Sequence, residues 1–194
     1  MRIVQATLEH LDLLTPLFVK YREFYGELSF PDSSRAFLEK RLRRKESVIY
    51  LSLADDEDKL LGFCQLYPSY SSLALKRVWI LNDIYVAEDA RRQLVADRLI
   101  QTAKKMAKDT NAVRMRVSTS SDNEVAQKVY ESIGFVVDEQ FKNCLLPINP
   151  DRALRQQGLA KDQTTAGNRV NGRGSQKSQC STATTRCRPP IFAN

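Results

Sequence analysis

The sequence predicts an α/β fold, a mixed and mostly antiparallel central sheet with helices on both faces. Three observations predict it. The apolar run Arg77 to Val86 leads into an amphipathic helix and then an alternating strand ending at Thr119. Such a strand–helix–strand unit closes as a right-handed parallel crossover. Two strand-like runs, Ser47 to Ala54 and Leu60 to Tyr67, are separated only by the acidic turn Asp55 to Lys59, which makes them an antiparallel hairpin. Helical spacing elsewhere supplies the layers that cover both sheet faces.

The elements follow in order. Arg2 to Ala6 reads as a short strand, and Thr7 can cap a helix on which Leu11, Leu14, Phe18, Tyr21 and Tyr25 recur at helical spacing. Ser29-Phe30-Pro31-Asp32 ends that helix. Asp32 or Ser33 can cap the next, which runs through Phe37, Leu38 and Leu42 into the basic stretch Arg41 to Lys45. Positive charge in a last turn complements the helix dipole, so this run is ordinary helix-end chemistry. After the hairpin, Pro68 and the serines Ser69 to Ser72 read as punctuation.

The crossover helix is predicted over Arg91 to Lys108, with Val95, Leu99, Ala103 and Met106 as its buried stripe, and Val113, Met115 and Val117 alternate in the strand that follows. Ser121 and Glu124 form a capping box for a last helix, whose apolar face is Ala126, Val129, Tyr130 and Ile133. Phe135 to Val137 and Phe141 to Leu146 complete the order β-α-α-β-β-β-α-β-α-β-β.

At 194 residues the chain suits one domain, here residues 1–148, large enough to bury a core. Residues 149–194 are rich in Gln, Thr, Ser, Gly, Asn and Arg and lose all apolar periodicity. A tail of that kind is expected to be disordered, because it cannot bury enough surface to offset its ordering entropy. Of the formal net charge of +7 nearly all belongs to it: from Asp151 onward lie 8 of the 30 Lys+Arg and only 2 of the 23 Asp+Glu, a net of +6. A near-neutral domain with a basic extension gives little reason to expect a nucleic-acid groove. Four cysteines without CxxC spacing and a single histidine, His10, predict no metal site. The opening MRIVQAT has no long apolar core, and no apolar run approaches the roughly 20 residues of a membrane span. A cytoplasmic setting without a membrane is the expectation, and dimers are the commonest assembly for such proteins.

A strand that feeds a helix N-terminus presents free backbone N–H groups and a positive dipole end, which suits a phosphate. A tyrosine on the next helix, Tyr130, can stand near whatever that phosphate carries. A phenol of pKa about 10 is neutral at pH 7, so within reach of a leaving thiolate it can protonate it.

In order of elements and in local motifs, roughly the first 148 residues resemble the GNAT superfamily of acetyl-CoA-dependent N-acetyltransferases. The family motif R/Q-x-x-G-x-G/A, whose amides cradle the CoA pyrophosphate, is matched by Arg91-Arg92-Gln93-Leu94-Val95-Ala96, followed by Asp97. Ile84-Tyr85-Val86 matches the strand whose backbone pairs with pantetheine. Asn123, Ala126, Tyr130 and Gly134-Phe135 match N-x-x-A-x-x-x-Y-x-x-x-G-F, in which the tyrosine often protonates the departing thiolate and the asparagine often contacts the cofactor. The resemblance implies acetyl-CoA as acetyl donor, a small primary amine as acceptor, and direct attack with Tyr130 acting on the sulfur.

Two positions depart from the pattern. Leu94 stands where the family usually has glycine. If the backbone is already helical there the cost is small; if it needs glycine geometry, strain of about 1–3 kcal/mol follows. Asn82 stands where the similar polyamine branch has a glutamate, and an amide is no base. Asp83 is adjacent, but neighbouring strand residues face opposite ways, so it does not simply take over. Tyr21, Tyr25 and Glu27 lie where such enzymes line the acceptor site, and their aromatic and acidic character suits a cationic amine. Two rival readings are an inactive CoA-binding relative, favoured by Leu94 and Asn82, and a binder of nucleic acid or acidic partners through the basic tail.

Overall fold

A computed structural model describes residues 1–55, 59–141, 143, 144, 146 and 148. The expected tail, residues 149–194, lies outside the described residues. Five strands form one sheet in the order β1 (Arg2–Gln5), β2 (Val48–Leu53), β3 (Leu60–Ser71), β4 (Lys76–Val86) and β5 (Arg114–Val117). The first four pair antiparallel, and β4 pairs parallel with β5. The helices are α1 (Leu11–Phe24), α2 (Pro31–Arg43), α3 (Val95–Asp109) and α4 (Glu124–Ile133).

The sheet is buried on both faces, and its alternating side chains divide between two cores. Leu14, Phe18 and Leu38 of α1 and α2 meet Ile49, Leu51 and Phe63 on one face. Leu99, Ala103 and Tyr130 of α3 and α4 meet Cys64, Leu66 and Leu81 on the other. Among the described residues no helix is long and apolar enough to cross a membrane.

Several element ends differ from the sequence expectation. β3 runs through Pro68 to Ser71 rather than stopping at Tyr67. Its pairing with β2 ends at Leu66, so beyond that point β3 is an edge, where a missing N–H is tolerated. α2 starts at Pro31, capped by Phe30 and not by Asp32 or Ser33, because proline is pre-formed for a first helical position. The crossover helix starts at Val95, four residues later than expected. Asn123, not Ser121, caps α4, accepting the Ala126 N–H at 3.1 Å. Phe135 to Val137 and the described part of Phe141 to Leu146 form no strand, and Phe141 and Leu146 stand 69% and 83% exposed.

One glycine sets the distance between sheet and crossover helix. Gly62 lies opposite Val86, and a Cβ there would come 2.8 Å from the Tyr85 carbonyl oxygen and 2.9 Å from Val95 Cγ1. Gly62→Ala is therefore expected to destabilise the fold by about 1–3 kcal/mol. Because it pushes apart the end of β4 and the start of α3, it should also weaken any ligand held between them. Thermal unfolding and ligand titration on the same variant check both effects.

Candidate active site

The site begins with a break in the sheet. β4 pairs with β5 only from Val78 to Leu81, whereas its pairing with β3 continues to Val86. The β4 segment from Asn82 to Val86, which includes Ile84 and Tyr85, thus has one backbone edge without a strand partner among the described residues. That edge can receive an extended, amide-bearing ligand.

The start of α3 supplies the second feature. Its first helical bond is Arg98 N–H to the Leu94 carbonyl, at 3.0 Å, which leaves the amides of Val95, Ala96 and Asp97 without helical acceptors. Arg91, Arg92, Gln93 and Leu94 form the exposed turn before it. Arg91 faces Glu88 at 3.8 Å, and the Gln93 side-chain amide donates to the Asp89 carbonyl at 3.0 Å.

The turn needs glycine geometry and contains none. Arg92 and Leu94 take left-handed backbone, with φ of 62° and 59°, so of the two cases open for Leu94 the one that needs glycine geometry holds. The chain must pass from the extended Arg91 to the first helical residue, Val95, within three residues, and no helix covers Leu94 to relax it. Its side chain is 69% exposed and gains little from burial. Leu94→Gly is expected to raise stability by about 0.5–1 kcal/mol, since a left-handed non-glycine residue costs about 1–2 kcal/mol and glycine returns part of that as chain entropy. A rise in Tm of about 2–4 °C per kcal/mol is the readout.

The third feature is a β-bulge. Gln65 lies opposite Asp83 and Leu66 opposite Leu81, which leaves Asn82 without a partner. One extra residue inverts the alternation of everything after it. Trp79 and Leu81 face α3, but so do Ile84 and Val86, while Asp83 and Tyr85 turn to α1. The bulge also brings neighbours together. Asn82 Nδ2 donates to Asp83 Oδ1 at 3.0 Å, so the expectation that the two point apart is corrected. Tyr21 reaches from α1 and donates its hydroxyl to the same oxygen at 2.6 Å.

Asp83 is buried, and burial pushes its carboxyl above the ordinary carboxylate range, although the Tyr21 and Asn82 donors pull it down. Burial and then the Asp83 charge raise both Tyr21 and Tyr25. Burial, and next Tyr25, pushes Tyr130 up to about 12. Tyr130 stands on α4, on the opposite face of the sheet from Tyr25. The Tyr130 ring packs on Phe135 at 5.7 Å.

Of the residues singled out in the sequence, Tyr21, Tyr25, Asn82 and Asp83 thus converge, while Tyr130 stands across the sheet in the core of α3 and α4. Asn123 and Ala126 are engaged with each other at the α4 cap, and Glu27 turns to Arg22 at 3.8 Å rather than to Asp83. Sequence reasoning missed Phe24, whose ring contacts Tyr25 at 5.2 Å and Tyr85 at 6.2 Å. Its position three after Tyr21, one face of a helix turn, was the available signal. A larger concavity of about 680 Å³ at Thr7, Leu42 and Lys45 involves none of these residues, so chemistry rather than size marks the site.

Comparison with known proteins gives the family. Residues 12–135 match the model of the acetyltransferase (GNAT) family. An uncharacterized N-acetyltransferase, YhfO, of Bacillus subtilis strain 168 is 37% identical over 148 residues, 76% of this chain and 98% of the relative. A probable acetyltransferase of Haemophilus influenzae is 36% identical over 138 residues, 70% and 90% of the two chains. The crystal structure of a probable acetyltransferase, 83% identical, superposes with a TM-score of 0.74 over 76% of this chain and 98% of its own. The chain belongs to the GNAT family of acetyltransferases and is an acetyl-CoA-dependent N-acetyltransferase.

Proposed function

We propose that the chain transfers the acetyl group of acetyl-CoA to the primary amine of a small molecule by direct attack. The observation that carries this reading is the buried Asp83, held by Tyr21 and Asn82 next to Tyr25, on the β4 segment whose edge is free of β5. Acetyl-CoA supplies an activated acyl carbon on a thiol leaving group. The free edge at Ile84, Tyr85 and Val86 pairs with the amides of its pantetheine arm. The amides of Val95, Ala96 and Asp97 face its pyrophosphate, with Arg91 and Arg92 adding positive charge and Gln93 and Leu94 shaping the turn.

On the α1 side, Tyr21 and Asn82 fix Oδ1 of Asp83, and Oδ2 takes a proton from the acceptor ammonium. As the C–N bond forms and the C–S bond breaks, Tyr130 gives its phenolic proton to the sulfur and regains one from solvent. A phenol pushed up to about 12 is fully protonated at neutral pH and ready to donate. A raised carboxyl is a stronger base than an ordinary one once ionised. The residues 1–148 suffice for all of this, and the tail is no part of the chemistry.

Calorimetric titration of acetyl-CoA into the chain tests the donor half, with micromolar affinity expected, about −8 kcal/mol. Release of free thiol on adding a primary amine tests the other half. A folded chain that shows no acetyl-CoA binding sinks this reading.

A further inference from the structure

An unbroken path of rings leads from the sheet interior to solvent on the α1 side. Tyr21 contacts Phe63 at 5.7 Å, Tyr25 at 5.2 Å and Tyr85 at 6.1 Å, and Phe24 closes the path on Tyr25 and Tyr85. Phe63 is fully buried, yet Phe24 and Tyr25 are each 59% exposed. Leu28 and Phe30 follow within six residues, 77% and 64% exposed. Scattered exposed apolar residues are ordinary, but a ring surface continuous with a buried carboxylate is the mark of a binding surface.

The carboxylate at its inner end has a free oxygen. Both hydrogen bonds to Asp83 come to Oδ1, and Oδ2 receives none from a described residue. A lone acceptor oxygen among aromatic faces fits one ammonium. Beyond it most of the carboxylates on this side are already held by a basic side chain. Asp89 is held by Lys59 at 2.6 Å, Glu88 by Arg91 at 3.8 Å and Glu27 by Arg22 at 3.8 Å. Glu23 shares with Lys20 the wall of a cavity of about 520 Å³ that Phe24 and Tyr85 also line. That cavity is of a size to take a ring or a short alkyl body.

We propose that the acceptor is a monoamine carried on an apolar body, an arylalkylamine or alkylamine, and that Phe24 and Tyr25 are its specificity-determining residues. Its ammonium meets Asp83 Oδ2, and its body lies along Tyr25 and Phe24. This rests on the acetyl-transfer reading above, and it narrows the acceptor away from polyamines, aminoglycosides and peptide N-termini.

The test measures thiol release by the full chain with acetyl-CoA and 2-phenylethylamine, spermidine, kanamycin or a short peptide with a free N-terminus. Calorimetric acetyl-CoA binding is measured alongside. The expected result is a kcat/KM for 2-phenylethylamine at least 10-fold above the other three. Phe24→Ala and Tyr25→Ala should raise its KM about 10-fold with a smaller change in kcat, and Phe24→Leu should recover most of the loss. Acetyl-CoA affinity should stay unchanged in all three variants. Preference for a polycation or the peptide overturns the proposal, as does an unchanged KM in folded Phe24→Ala and Tyr25→Ala. Acetyl-CoA binding with no turnover of the monoamine overturns the acceptor class and leaves the donor half standing. Absent acetyl-CoA binding removes the transfer reading itself and this proposal with it.

Discussion

Tyr130→Phe should lower kcat by about 100-fold or more while acetyl-CoA affinity stays within about 2-fold. The substitution removes one oxygen and keeps the ring. Tyr130 is 8% exposed and packs on Phe135 and within the core that α3 and α4 share with the sheet, and phenylalanine retains those contacts. What is lost is the donor to the departing sulfur, and a positioned general acid contributes about 10²–10⁴-fold. Burial has pushed this phenol up to about 12, so the proton is present at every pH at which the amine reaction is practical. Paired measurements of kcat and of acetyl-CoA binding separate the two roles. Unchanged kcat in the variant would leave Tyr130 as a core ring only.

Asp83→Asn should cut kcat/KM by at least about 100-fold and raise Tm at neutral pH. The two effects have one cause. Folding buries this carboxyl and holds it above the ordinary range, so the folded state favours its neutral form. Its contribution to stability is full below the unfolded carboxylate value, about 3.9, and is lost as pH rises through the raised folded value. Asparagine escapes that loss and can still accept from Tyr21 and Asn82 through its amide oxygen. The Tm advantage of the variant should therefore shrink as pH falls, and thermal scans across the acid range read this directly. Activity runs the opposite way, since only the ionised carboxylate takes a proton: kcat/KM should rise with pH through the same folded value. A Tm that drops at neutral pH would mean that the charged pair with Tyr21 stabilises more than burial costs.

On the proposed mechanism function works against stability at two places, and each is recognisable by its backbone. At Asn82 the sheet gives up one residue of pairing to aim Asp83 at α1. At Arg92 and Leu94 the chain accepts left-handed conformations at side chains that disfavour them, so that the amides at the start of α3 stay clear. Natural sites commonly carry such local conflicts while the surrounding fold holds them in place.

The sequence by itself determined the strand–helix–strand crossover, the hairpin before it and the helix bearing Tyr130. Each is written in a local period, two for Met115 and Val117, and 3.6 for Leu99 and Ala103, which burial on one face enforces; Val113, expected in the same strand, lies just outside it and is exposed. It also marked Tyr21, Tyr25 and Asp83 as residues of interest. Only the tertiary structure decided how they meet. A bulge is set by the pairing of two strands, not by either strand alone, and this one turns Asp83 and Tyr85 to the face opposite to the one that alternation from Leu81 assigns them. The positive φ of Leu94 is likewise fixed by the helix and strand it joins, against the residue's own preference. The helical spacing of Phe24 from Tyr21 put it on the right face of α1, but its contact with Tyr85, some sixty residues away in the chain, came only with the fold. Local periods choose elements because they report which face is buried. Sites are chosen by what distant elements bring to the same few ångströms, and no local period carries that.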